Sequence, residues 1–329
     1  MKKKILLNEK IYVAGGNGMV GRAVKKKLIE LGYGNEKNNG KLLTPSRSQL
    51  DLLNYYEVDQ WFTENKPSIV ILAAAKVGGI YANSTKPAEF LLENLKIQTN
   101  VIEIAFKHKV KRLLFLGSSC IYPKYAKQPI KEEYLLSGNL ECTNQWYAIA
   151  KISGIKLCES LRIQYGFDSL ALMPTNLYGP FDNYNLKDSH VLPALLKKFK
   201  DAVNNNEKYV TCWGDGSPLR EFLHVDDLAS AIIFTLETWD PSNKKLTNSN
   251  DENIFLNVGS GEEISIYDLA LKIAKISGFK GEIKWDKNKP NGTPRKLLDI
   301  SKITNLGWQP KITLDEGILS TYKSFGKEL

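Results

Sequence analysis

Residues 10–24, KIYVAGGNGMVGRAV, carry a short apolar run directly into glycines at positions 15, 18 and 21. The run has strand character at 11–14, and the apolar spacing beyond it predicts a helix over 19–31. Glycine between a strand and a helix permits a tight turn and a close approach of backbone N–H groups to a pyrophosphate at the helix N-terminus. The last glycine, Gly21, also lets helix and strand pack closely. Gly15, Gly16, Asn17, Gly18, Met19, Val20 and Gly21 therefore form a candidate dinucleotide cradle, although a turn with a purely structural job would use the same glycines.

Outward from this loop, short apolar runs alternate with amphipathic stretches. Strands are expected at 42–44, 69–73, 113–116 and 169–173, and helices at 55–64, 88–108 and 147–165. That rhythm predicts an α/β fold with a doubly wound, mainly parallel sheet covered by helices on both faces. After Pro174 the chain is richer in loops, with a helix at 191–203. The expected division is a nucleotide-binding domain over 1–175, with a return segment near 220–237, and a smaller C-terminal substrate lobe over 176–329. Polar stretches at 34–40 and 241–253 read as surface loops.

Composition narrows the class. The chain has 329 residues, 43% hydrophobic and 25% charged, within the usual range for a globular enzyme. Its net charge of +9 comes from scattered short lysine clusters, without a basic stripe interleaved with aromatics. Nucleic acid is therefore not an expected partner, whereas phosphorylated small molecules are compatible. Cys120, Cys142, Cys158 and Cys212 show neither a CxxC pair nor metal-ligand spacing, and read as reduced thiols. No run approaches the roughly 18 apolar residues of a membrane span. The basic opening MKKKILLNEK is interrupted too early for a signal peptide. A cytoplasmic location away from membranes is expected.

The second strand ends in Thr44-Pro45-Ser46-Arg47, with no acid to grip a ribose 2′-hydroxyl. A cation there favours a 2′-phosphate, so NADP(H) is the expected cofactor. Further on, Tyr147 and Lys151 stand four residues apart, on one face of the helix. A free phenol near pKa 10 is a poor proton donor or acceptor at neutral pH, and a neighbouring ammonium is expected to lower that value. A serine hydroxyl at the preceding strand end, in GSSCIYPK (117–124), can orient a carbonyl for protonation.

Together these features resemble the extended short-chain dehydrogenase/reductases. The strings LAAAKVGGI, FLGSSCIYPK, YAIAKI, MPTNLYGP, SHVLPALL, REFLHVDD and NGTPRKLLD are similar, from about residue 10 to 325, to the GDP-L-fucose synthase family. The resemblance implies a Rossmann-like fold, a homodimer, and NADPH-dependent 3,5-epimerisation and 4-reduction of GDP-4-keto-6-deoxy-D-mannose. It implies Ser118, Tyr147 and Lys151 as the reductase trio, and Cys120 with His190 as an epimerase acid/base pair. For the cofactor it adds Leu52, Leu116, Gly117, Pro174, Asn176, Leu177 and His190 to the glycine loop and Arg47. Lys198, Arg220 and Lys296 are implied at the diphosphate or ribose, Trp213 near the base, and Asn291 at the ligand.

The chemistry explains why a thiol stands beside the serines. Protons at C3 and C5 of a 4-keto sugar are acidic because each is α to the carbonyl. Inverting such a centre requires removal on one face and return on the other, by two groups of suitable pKa. Without the resemblance, Cys120 reads as a small buried hydrophobe, and His190 as a surface or hinge residue. The remaining cysteines read as packing residues.

Two features depart from the family pattern. Gly16-Asn17 stands where many relatives carry His-Arg, which removes one possible partner of a 2′-phosphate, and Trp146 before Tyr147 is unusual. A 4,6-dehydratase is disfavoured, because Cys120-Ile121 occupies the place of its acid pair. A reductase of a related GDP-4-keto sugar, such as a heptose, stays open, as does an NADP-sensing protein. Sensors typically lose the tyrosine or lysine that this chain keeps.

Overall fold

The computed structural model describes residues 3–186, 188–241, 254–289 and 291–325. Beyond Pro241, the polar stretch 241–253 lies outside them. In chain order, β1 (Lys10–Ala14), α1 (Met19–Glu30), β2 (Lys41–Leu43), α2 (Tyr55–Asn65) and β3 (Ile69–Leu72) come first. Next are α3 (Ile80–Thr85), α4 (Pro87–Lys107), β4 (Arg112–Leu116), α5 (Gln145–Tyr165) and β5 (Ser169–Pro174). The strands and helices read from the sequence through this half are present, with ends displaced by one or two residues.

The second half contains β6 (Asn176–Tyr178), α6 (Val191–Asn204), β7 (Tyr209–Trp213), β8 (Leu219–His224), α7 (Val225–Thr238) and β9 (Phe255–Val258). It ends with β10 (Glu263–Ser265), α8 (Ile266–Ser277), β11 (Glu282–Asp286), β12 (Arg295–Lys296), α9 (Ser301–Asn305) and α10 (Leu314–Ser324).

Six strands form the central sheet in the order β2-β1-β3-β4-β5-β9, all parallel. β3, β4, β5 and β9 are buried at every residue, as strands covered on both faces must be. On one face Val58, Phe62, Val101 and Ile155 belong to the core of α2, α4 and α5. On the other, Val24 and Leu28 of α1 share a core with Leu228 and Ile232 of α7. Each such burial stabilises by roughly 1.5–3 kcal/mol. The chain thus returns to this layer through α7 and again through β9.

A third core joins α6, α8 and α10 to β7 and β8 through Leu196, Phe199, Leu269 and Ile318. Here β8 pairs with β6, β10 and β12, and β7 pairs with β11. The strand order of the main sheet reverses between β1 and β3, which opens a crevice at its C-terminal edge. No helix among the described residues is long and apolar enough to cross a membrane.

Candidate active site

A cleft of about 1190 Å³ opens along that edge and continues beneath the second set of strands. Every candidate catalytic, cofactor-binding and substrate-binding residue named from the sequence lines it. The glycine loop forms one end. Gly15 has φ +83°, and a Cβ on it would lie 2.8 Å from the Ala74 nitrogen, so both the turn and the close approach to the chain after β3 exclude a side chain. At Gly21 a Cβ would meet the Gly15 carbonyl oxygen at 2.1 Å. Gly18 caps α1 without a side-chain hydrogen bond, and the first turn of α1 carries no acid. By contrast α2 is capped by the Asn54 side chain, which accepts from Tyr56 and Glu57 N–H groups. The bare, acid-free end of α1 fits a pyrophosphate. Met19 and Val20 follow the cap, and the Arg22 Nε donates to the Asn17 carbonyl at 2.8 Å, bracing the loop.

Arg47 lies on the cleft wall beyond β2, exposed and without a carboxylate partner among the described residues. That free cation suits a 2′-phosphate. Leu52 lines the cleft too, as do Leu116 and Gly117 at the end of β4, Pro174 at the end of β5, and Asn176 and Leu177 of β6. Asn176 is fixed by donating from Nδ2 to the Glu221 carbonyl at 2.8 Å.

The trio assembles because α5 packs against β4 at a glycine. A Cβ on Gly154 would lie 2.6 Å from the Phe115 ring, so this helix turn has room only for hydrogen. The approach lets Lys151 donate from Nζ to the Leu116 carbonyl at 2.7 Å. The same Nζ stands 5.8 Å from the Tyr147 ring centroid. Burial pulls the ammonium down to about 7. Burial pushes the Tyr147 phenol up, with a smaller upward push from Cys120 and a partly offsetting hydrogen bond from Ser118. The expectation that the phenol would be lowered is thus corrected: loss of solvent is the largest influence on it and disfavours the phenolate. The phenol keeps its proton at neutral pH, which suits a donor.

Ser118 begins the short turn Ser119–Ile121, and its Oγ accepts from the Cys120 N–H at 3.2 Å. That capping bond aims Cys120 into the cleft. The sulfur accepts from Asn144 Nδ2 at 3.3 Å and from Lys296 Nζ at 3.6 Å. His190 opens onto the cleft as the N-cap of α6. Its approach is set by glycine, since Gly79 donates to the Asp188 carbonyl at 2.8 Å and a Cβ there would lie 2.4 Å from the Ser189 oxygen. The surrounding cleft walls, and next the Lys296 charge, lower the imidazole's value.

At the far end Lys198 donates to the Thr211 carbonyl at 2.7 Å and sits 5.7 Å from the centroid of the Trp213 ring. Arg220 reaches the Leu219 and Asn291 carbonyls at 2.8 and 3.3 Å, and burial lowers it to about 10. The Asn291 Oδ1 accepts from the Asp215 N–H at 3.1 Å. Lys296, implied at the phosphates, sits beside Arg220 in the β8–β12 pairing but turns to the Cys120 sulfur.

Cys158 and Cys212 are buried, and burial pushes them up to about 12 and about 11, as packing thiols should be. Cys142 is exposed and hydrogen-bonds Glu141 Oε1 at 3.3 Å, which corrects its reading as a packing residue. Sequence reasoning also missed Asn144 at the sulfur, and the wall formed by Ala73, Ala74, Lys76 and Gly78 after β3. The wall was findable, because a chain leaving β3 beside β1 must emerge at the crevice. Asn144 carried no local signal.

Residues 11–248 match the model of the NAD dependent epimerase/dehydratase family. The chain is 52% identical over 320 residues to GDP-L-fucose synthase 1 of Arabidopsis thaliana, spanning 97% of this chain and 94% of that one. It is 48% identical over 321 residues to GDP-L-fucose synthase of Escherichia coli (strain K12), spanning 96% of each. Among solved structures it is similar to a GDP-mannoheptose C4 reductase from Campylobacter jejuni with NADP bound. The TM-score is 0.85 at 39% identity, covering 98% of this chain and 99% of that one.

Proposed function

The chain belongs to the NAD dependent epimerase/dehydratase family, and from that membership we propose that it makes GDP-L-fucose from GDP-4-keto-6-deoxy-D-mannose, by 3,5-epimerisation followed by NADPH-dependent 4-reduction. The observation that carries this reading is the convergence of a thiol, an imidazole, a protonated phenol and a buried lysine on one cleft. Reduction alone requires only the last two. Relatives named GDP-L-fucose synthase, close to half identical over nearly the whole chain, support the choice of substrate.

The roles assigned in this reading are as follows. Cys120 and His190 act on opposite faces of the sugar ring. One removes the proton at C3 or C5, the electron pair passes to the C4 oxygen, and the other returns a proton on the far face. Ser118 and Tyr147 donate hydrogen bonds to the developing oxyanion. The glycine loop and Arg47 would hold the NADPH pyrophosphate and 2′-phosphate, and its nicotinamide supplies hydride to C4. Tyr147 then gives its proton to the C4 oxygen, while Lys151 steadies the phenolate left behind. Lys198 and Arg220 would meet the GDP phosphates, with Trp213 and Asn291 near the nucleoside. Two lobes meeting near residue 175 fit this division between cofactor and sugar nucleotide.

Leu92 on α4, with Trp146 and Ile149 on α5, leaves apolar surface exposed on two neighbouring helices. This supports a homodimer packed through that pair and gives Trp146 a role. Four free cysteines fit a cytoplasmic enzyme.

The test is incubation with NADPH and freshly prepared GDP-4-keto-6-deoxy-D-mannose, with the product identified by NMR. GDP-L-fucose is the expected product. Turnover only with a GDP-4-keto-heptose would instead favour the activity named for the Campylobacter neighbour. Tight NADPH binding without any turnover would favour a sensor.

A further inference from the structure

Residues 179–186, between β6 and α6, belong to no helix or strand, yet Phe181, Asp182, Asn183 and Leu186 line the cleft together with the glycine loop. The root of this segment is fixed. Gly179 has φ +155°, and a Cβ on it would lie 2.5 Å from Val225 Cγ1, so the chain presses on the start of α7. Pro180 restricts the next φ. Phe181 then takes φ +65°, a left-handed backbone that a bulky residue rarely adopts. Its ring is also 45% exposed. Two unfavourable features at one residue call for a compensating contact.

The Arg22 guanidinium supplies one, 4.5 Å from the centroid of the Phe181 ring. Arg22 projects from the head of α1, and its Nε donates to the Asn17 carbonyl at 2.8 Å. One arginine therefore joins the glycine loop to the segment opposite. Arg22 is exposed and is not part of the cleft lining, so it lies outside the space a dinucleotide would fill. A second anchor stands three residues further on. The Tyr184 ring centroid is 4.0 Å from that of Phe325. The Lys200 ammonium lies 4.4 Å from the Phe325 ring centroid and donates to the Phe325 carbonyl. Between the anchors the bonds are local: the Asn183 N–H donates to Asp182 Oδ1 at 2.7 Å, and the Asn185 N–H to Asn183 Oδ1 at 2.9 Å.

We propose that residues 179–186 form a strap across the glycine-loop end of the cleft, latched by Arg22 against Phe181, and that NADPH enters and NADP⁺ leaves by release of that latch. This rests on the reading of the glycine loop as the cofactor cradle. The latch has two arrangements of the same residue. With Phe181 at positive φ, its ring sits under Arg22 and the strap is closed. A return to negative φ relieves the backbone, carries the ring off the guanidinium and opens the cleft. Each reduction consumes one NADPH, so the strap opens once in every turnover.

The test is stopped-flow mixing of the full-length enzyme with NADPH, followed by displacement with excess NADP⁺, which gives association and dissociation rates separately. Phe181→Leu keeps an apolar wall and leaves the bond from Arg22 to Asn17 in place. Arg22→Met keeps the reach of the side chain without its charge. Each should raise both rates roughly two- to fivefold, the range open to one exposed cation–π contact. Kd should stay within about twofold of the parent, because an opened strap speeds entry and exit alike. Arg22→Met combined with Phe181→Leu should be no faster than either alone, since both remove one contact. Arg22→Lys should stay near the parent, with a cation still over the ring. Parental rates in Phe181→Leu overturn the proposal. Faster dissociation alone also overturns it, by making Phe181 a direct cofactor contact, and so do additive effects in the double variant. A parent that does not bind NADPH defeats the cofactor reading itself, whereas tight parental binding with unchanged variant rates defeats only the latch.

Discussion

The Lys151 ammonium donates to the Leu116 carbonyl at 2.7 Å, tying the middle of α5 to the last residue of β4. The bond holds the lysine where burial lowers its value from 10.5 to about 7. The folded chain gives up this proton near neutrality, whereas the unfolded chain keeps it for about three more pH units. Between those limits the unfolded state binds more protons, so this group makes stability rise with pH. Lys151→Met should remove that slope. The variant should melt above the parent most clearly near pH about 6, and the gap should close toward pH about 10. Thermal unfolding at a series of pH values checks this, and a gap independent of pH would contradict the buried ammonium.

Tyr147 keeps its proton because burial disfavours the phenolate. Tyr147→Phe should reduce NADPH oxidation by roughly 10²–10⁴-fold, the range for losing a positioned proton donor. Deuterium exchange at C3 and C5 should fall only about tenfold, since Ser118 remains as an oxyanion donor. Parallel rate measurements decide the matter. Equal losses in both would show that the phenol is not specific to the reductive step.

Arg47 is exposed on the cleft wall past β2, with no carboxylate partner among the described residues. Arg47→Ala should weaken NADPH binding by roughly 10–100-fold, as expected for one charge-assisted contact, and leave NADH binding unchanged. Titration of both nucleotides against the parent and the variant measures this. A matching loss for NADH would move Arg47 away from the 2′-phosphate.

Gly21 and Gly18 make opposite predictions. A Cβ at Gly21 meets the Gly15 oxygen at 2.1 Å, whereas one at Gly18 meets nothing nearer than 3.6 Å. Gly21→Ala should abolish tight NADPH binding and destabilise the chain by roughly 1–3 kcal/mol through overpacking. Gly18→Ala should keep the fold and most of the affinity. Cofactor titration and chemical denaturation distinguish the pair.

The sheet was legible because β1, β3, β4 and β5 are apolar runs bounded by turns, and Gly15 to Gly21 mark the crossing to α1. β9 was not, since Phe255–Val258 is a four-residue strand interrupted by the polar Asn257, and it joins β5 across a long separation. The candidate site residues came from a family pattern, and the fold places them along one cleft. Their electrostatics were not. Spacing along α5 puts Tyr147 beside Lys151, but only the packed structure reveals that desolvation dominates both. Nor could spacing bring Lys296 to Cys120, because that contact depends on a two-residue strand pairing with β8. Cys142 shows the reverse error, for a thiol one residue from buried Glu141 is itself exposed.

The central claim is that one ketone serves two proton-transfer systems in a shared cleft. Its most direct test is solvent deuterium incorporation at C3 and C5 of the 4-keto sugar by Cys120→Ser, measured by NMR beside NADPH binding. The account predicts NADPH affinity within about twofold of the parent, with exchange reduced by roughly 10²-fold or more. Exchange at the parental rate would contradict it, leaving a reductase with an idle thiol.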